Sequence, residues 1–131
     1  MPRPIHFDLP ADDTARCMKF YTDVLGWEFH KFEMENAPPD MEYWLITTGP
    51  DSEPGINGGM SKRRGPTAPA PGSYGMLTMS VSDLEAYVRK VLDAGGQVPE
   101  PLMPIPGVGR MAMCLDTEGN SFGIIQMDQP M

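Results

Sequence analysis

The chain has 131 residues, 40% of them hydrophobic, with a formal net charge of −8. That apolar content suits one compact domain, or two half-domains sharing a core, and excludes a disordered chain. The acidic balance argues against a nucleic-acid partner, whose phosphates require clustered Lys and Arg, and no run of about 18 apolar residues is present to cross a membrane.

The first predicted element is a strand at "IHFDLPA" from Ile5, with Phe7, Leu9 and Ala11 on one face and His6 and Asp8 on the other. A helix follows, with Asp12 or Asp13 as its cap, Met18, Tyr21, Val24 and Leu25 as its inward stripe, and Gly26 as its terminator. Further strands are predicted at "WEFHKF", at "YWLITT" (Tyr43 to Thr48) and around "GINGGMS" (Gly55 to Ser61). The basic run "SKRR" reads as a solvated loop, and the Pro/Gly-rich stretch from Arg64 to Ser73 reads as a linker. Beyond it, "GMLTMSVSDLEAYVRKVLDAGGQV" repeats the opening at an offset of seventy: Asp13 falls on Asp83, Asp23 on Asp93, Gly26 on Gly96, and Phe7, Leu9 and Ala11 on Leu77, Met79 and Val81. The second helix carries Leu84, Tyr87, Val88, Val91 and Leu92 inward, capped by Ser82 or Asp83 and ended by Gly95-Gly96. Strands follow at "GQVPEP", "RMAMCL" and "SFGIIQM", while "PIPGVGR" reads as a rigid loop over a ligand cavity.

These elements predict an α+β fold of two βαβββ modules, about 3–62 and 74–128, in one domain spanning 1–131. Their strands form a curved, mostly antiparallel sheet cup with the helices on its outer face. The polar face of the first strand, together with Met76, Thr78 and Ser80 in the second module, predicts a wet concavity rather than a second dry core. Trp44, Met60, Met76, Thr78, Arg110, Met113 and Gly123 are the candidate ligand-binding residues. Tyr43 and Trp44 alternate, so one of them faces the cup, where it can stack a planar ligand. The strand methionines fill the core or shape an adaptable apolar pocket, and Arg110 is the candidate cation for an anionic ligand. Trp27 is expected in the core. Cys17 and Cys114 lack the spacing of a redox pair and are expected as reduced, packed thiols. The N-terminal stretch lacks a signal-like apolar run, which predicts a cytoplasmic protein.

The segment "DDTARCMKFYTDVLGW", with Phe20-Tyr21 and Leu25-Gly26, resembles the first helix of the vicinal oxygen chelate superfamily, which includes glyoxalase I, bleomycin resistance proteins and extradiol dioxygenases. "VSDLEAYVRKVLDAGG" is similar to its second helix, and "DTEGNSFGI" to the turn into its last strand. Metal-dependent members hold one divalent ion by four strand side chains: His, Glu or Gln, His, and Glu. The resemblance places His6 at the first position, Met76 at the third and Gly123 at the fourth. The second falls near "PGINGGM", which offers neither carboxylate nor imidazole. Glycine has no donor, and Met does not suit the hard or borderline ions of such sites. The resemblance therefore implies a protein without a metal or other cofactor, binding an apolar or planar small molecule, with His6 and Asp8 as polar anchor or proton-transfer pair. The alternative is an enzyme of the same fold, lyase, isomerase or dioxygenase-like, with a divergent site using His6. Because modules of this family pair within or across chains, a homodimer is also expected.

Overall fold

The computed structural model describes residues 5–33, 42–63 and 76–128. The chain divides into two compact units, Met1–Thr67 and Ala68–Met131. The expected linker, 64–73, lies outside the described residues.

The first unit runs β1 (His6–Ala11), α1 (Thr14–Leu25), β2 (Glu28–Lys31), β3 (Tyr43–Thr47) and β4 (Asn57–Lys62). Its sheet has the order β1-β4-β3-β2. Only β1 and β4 are parallel, and the other two pairings are antiparallel. Asp13 caps α1 by accepting from the Arg16 amide at 3.0 Å, which satisfies one of the orphan donors of the first turn. Gly26 ends the helix at φ 74°, a left-handed conformation that glycine adopts without a Cβ penalty. The buried stripe is Cys17, Phe20, Tyr21 and Val24, spaced i, i+3, i+4, i+7. It is rotated from the expected stripe, leaving Met18 and Leu25 half-buried at its edges. Trp27 joins the core as expected: its ring stacks on Tyr21 at 4.8 Å and meets Phe7 at 5.6 Å. Each such buried side chain stabilises the unit by about 1.5–3 kcal/mol.

The second unit repeats the plan with β5 (Leu77–Ser80), α2 (Leu84–Asp93), β6 (Met103–Ile105), β7 (Gly109–Leu115) and β8 (Ser121–Met127). The sheet order is β5-β8-β7-β6, with β5 and β8 the parallel pair. The two βαβββ units, each with a mixed and mostly antiparallel sheet, are the α+β fold expected. Asp83 caps α2 through the Ala86 amide, matching Asp13 in the first unit. Leu84 and Val91 are buried against the sheet, while Leu92, expected inside, is 53% exposed.

Three local expectations are corrected. "GQVPEP" forms only one bridge, Gln97 to Leu115, because Pro99 and Pro101 lack the amide that a continued ladder needs. "PIPGVGR" is not a loop throughout: Pro104 and Ile105 end β6, and a turn closed by the Val108 amide on the Ile105 carbonyl at 3.0 Å leads into β7. In "SKRR", Ser61 and Lys62 end β4. Its Arg63 is no solvated loop residue, since its side chain is 7% exposed and its Nε donates to Asp12 at 2.9 Å. Among the described residues, no helix is long and apolar enough to cross a membrane.

Candidate functional site

Strand register assigns every side chain in the first unit to a face. Phe7, Leu9, Ala11, Trp44, Ile46 and Met60 share the face that α1 covers. His6, Asp8, Tyr43, Leu45, Gly59 and His30 share the opposite face. The choice left open between Tyr43 and Trp44 is thereby made: Tyr43 stands with His6 and Asp8. Trp44 lies on the helix side, where its indole N–H donates to Glu42 Oε2 at 2.9 Å. Met60, fully buried on that same side, packs as core. The Thr14 hydroxyl also donates to Glu42 Oε2, and these two donors hold the Glu42 carboxyl below its usual range.

On the open face three polar side chains meet. The Tyr43 hydroxyl donates to Asp8 Oδ1 at 2.8 Å and lies 2.9 Å from His6 Nε2. His6 Nε2 is 3.4 Å from the same Asp8 oxygen. Desolvation, with the Asp8 carboxylate as hydrogen-bond partner and neighbouring charge, pushes the phenol up to about 12. Tyr43 is therefore a neutral hydroxyl near pH 7. Its ring reaches this position by crossing Gly59 on the adjacent strand, and a Cβ at residue 59 would overlap the hydroxyl and Cζ of Tyr43. Phe32 adds an exposed ring edge-on to Tyr43, with centroids 6.3 Å apart. His30, 4.0 Å from Glu28, takes no part in the cluster.

The second unit has the same geometry with different chemistry. Thr78, Met111, Met113, Gly123, Ile125 and Met127 occupy the face away from α2, and Met76 leads into β5 beside them. A Cβ at Gly123 would lie 3.1 Å from the Met111 methyl, 3.1 Å from the Thr78 hydroxyl and 3.5 Å from the Met76 methyl. Register explains the parallel. Asp8 faces Gly59 as Thr78 faces Gly123, and Tyr43 and Met111 are the diagonal neighbours of the two glycines. Each unit thus has a strand glycine whose empty side-chain position is covered from the next strand, by a phenol in one and a thioether in the other.

Met76, Thr78, Met113 and Gly123 are therefore brought together, as are His6 and Asp8. Arg110 points to the helix side of its sheet, where its guanidinium makes a bidentate ion pair with Glu85 and meets Gln126 Oε1 at 3.4 Å. Sequence reasoning did not single out Gly59 as a site residue, and it counted Met111 only among the strand methionines that fill the core or shape a pocket. The offset that equates Asp8 with Thr78 carried the signal for Gly59, but using it required the register of β4.

The fold family implies a divalent metal in some members, and the donor set here does not fit one. The positions the resemblance implies hold His6, Met76 and Gly123, with the second near "PGINGGM", and together they supply a single imidazole and no carboxylate. Among the described residues, no three His, Cys, Asp or Glu side chains cluster closely enough to hold an ion. The thiols offer no alternative: Cys17 and Cys114 are buried, and burial pushes Cys114 up to about 11.

Two βαβββ units, each with an Asp-capped helix and a mixed, mostly antiparallel four-stranded sheet, have the fold of the glyoxalase class. Residues 3–124 match the Glyoxalase/Bleomycin resistance protein/Dioxygenase superfamily, and the chain belongs to it. It is 30% identical over 96% of its length to the glyoxylase-type protein CFP32 of Mycobacterium tuberculosis, covering 46% of that protein. The chain thus spans about half the length of that relative. It is 28% identical to the lactoylglutathione lyase of Escherichia coli O157:H7, covering 95% of this chain and 92% of the other. Among solved structures, the trypanothione-dependent glyoxalase I of Leishmania major superposes with a TM-score of 0.73 at 19% identity, covering 96% of this chain and 87% of that one. That likeness is one of fold.

Proposed function

We propose that the chain is a metal-free small-molecule-binding protein of the glyoxalase/bleomycin resistance type. Its ligand is apolar or planar and is anchored by the His6–Tyr43–Asp8 cluster. The observation that carries this reading is the Tyr43 phenol, which crosses Gly59 to bond Asp8 and approach His6. It takes up the space a metal-binding side chain at residue 59 would need. The methionine-rich face of the second unit supports an adaptable apolar contact surface through Met76, Met111 and Met113, with Thr78 as its polar member. Gly123 leaves room for the Met111 and Met76 methyls to lie across it. The protein acts without nucleic acid or membrane, in the cytoplasm and as a homodimer; sedimentation that gives only monomer at every concentration contradicts the last point.

A second reading is an enzyme of lyase, isomerase or dioxygenase type using His6 for proton transfer. It is favoured by the hydrogen-bonded His–Tyr–Asp cluster and by the lactoylglutathione lyase name of one relative. Native mass spectrometry of the purified chain tests the main reading. A co-purifying organic molecule that survives chelator treatment and is lost in His6→Ala supports it. Ligand retention that requires added divalent metal sinks it.

A further inference from the structure

The cluster has a directional consequence. A phenol carries one proton, and Asp8 Oδ1, an acceptor only, takes it at 2.8 Å. The phenolic oxygen can then only accept from His6, so Nε2, at 2.9 Å, carries a hydrogen. In the neutral imidazole this leaves Nδ1 with its lone pair. Among the described residues the structure gives Nδ1 no partner, and the His6 side chain is 44% exposed. Beside the cluster lie two exposed apolar side chains, Phe32 at 45% and Leu45 at 41%.

We propose that Tyr43 is a positioning residue that fixes the hydrogen-bonding state of His6, holding Nε2–H and presenting Nδ1 as an acceptor. The site then selects ligands that bring an O–H or N–H donor on an apolar body. This rests on the metal-free reading above. Gly59 is part of the device, because any side chain there would push the phenol off Asp8 and His6. The equivalent Met111 over Gly123 has no proton to give, so the second unit lacks this selectivity.

The test uses the full chain labelled with nitrogen-15, its metal content first measured by plasma mass spectrometry. Ring nitrogen spectra near neutral pH are expected to show His6 with a larger Nε2–H fraction than a free histidine side chain. Tyr43→Phe keeps the ring but not the hydroxyl, and is expected to lower that fraction while leaving His30 unchanged. If this variant fails to fold, the wild-type tautomer still decides, because a dominant Nδ1–H form overturns the proposal, as does an unchanged fraction in a folded Tyr43→Phe. Phenol and its methyl ether, anisole, serve as paired probes. Phenol is expected to shift the Nδ1 resonance and to bind about three- to tenfold more tightly, the range of one hydrogen bond. Equal binding, or no shift with phenol, overturns the donor class. A stoichiometric metal on the purified protein overturns the metal-free reading beneath the proposal, whereas a metal-free protein with His6 protonated on Nδ1 overturns the Tyr43 assignment alone.

Discussion

Alanine at Gly59 and at Gly123 should behave oppositely, although both residues are mid-strand glycines at equivalent positions. A Cβ at residue 59 cannot coexist with the Tyr43 hydroxyl and ring carbon that occupy its space. The phenol must swing away and lose its contacts with Asp8 and His6. Two partly exposed side-chain hydrogen bonds are worth about 0.5–1.5 kcal/mol each. Replacing a strand glycine returns about 0.5–1 kcal/mol through the unfolded chain. Gly59→Ala should therefore destabilise by about 1 kcal/mol, a drop of about 3–5 °C in melting temperature. At Gly123 the new Cβ meets the Met111 methyl and the Thr78 hydroxyl, both at 3.1 Å. A thioether end retreats and a hydroxyl turns at small cost, so Gly123→Ala should be neutral or stabilising by up to about 0.5 kcal/mol. Urea unfolding followed by tryptophan fluorescence measures both, and a cycle with Tyr43→Ala isolates the coupling. In that background the cost of Gly59→Ala should disappear. Equal effects at the two glycines, or an undiminished cost without the phenol, would refute the account of how each glycine is covered.

Arg110→Ala should leave ligand binding unchanged, because the side chain lies on the helix side with Glu85. Its small effect on melting temperature should vanish in high salt, as expected of an exposed ion pair. Cys17 and Cys114 should resist thiol reagents in the native protein and react together on unfolding, since both are buried. Alkaline pH should weaken the fold. The native Cys114 thiol keeps its proton up to about 11, whereas an unfolded thiol loses it near about 8.5. The native state therefore binds more protons across that window, and stability falls as pH rises through it. Tyr43 extends the decline, because the native phenol titrates at about 12 against an ordinary value of 10.0. An alkaline melting profile flat to pH 11 would contradict both assignments.

The fold was legible because its signals are local. Asp13 and Asp83, seventy residues apart, both cap helices, and the apolar alternation in β1 and β5 assigns faces without knowledge of the partner strands. Where the reading failed, a partner outside the local pattern decided. Arg110 was expected on the ligand face from its loop-end position, yet β7 places it two residues from the buried Ala112 and on the same side, within reach of Glu85 on α2. Trp44 and Met60 were expected to line the ligand cavity; the register pairs them with each other beneath α1. The site was half legible. His6, Asp8 and Gly123 stand out by residue type and periodicity. The role of Tyr43 depends on a diagonal contact over Gly59, and no single-strand pattern encodes a diagonal.

The central claim is that His6 works within a hydrogen-bonded cluster rather than as a metal ligand, and metal content measured alongside chelator-dependent melting tests it most directly. A resident ion at a hundred times its dissociation constant stabilises the native state by about 2.7 kcal/mol, a shift no melting experiment would miss. The account predicts no stoichiometric divalent metal and an unchanged melting temperature in chelator. Installing donors by Met76→His and Gly123→Glu should make melting sensitive to added nickel or zinc. A stoichiometric ion in the unmodified protein, removed by chelator with loss of stability and abolished by His6→Ala, would contradict the account.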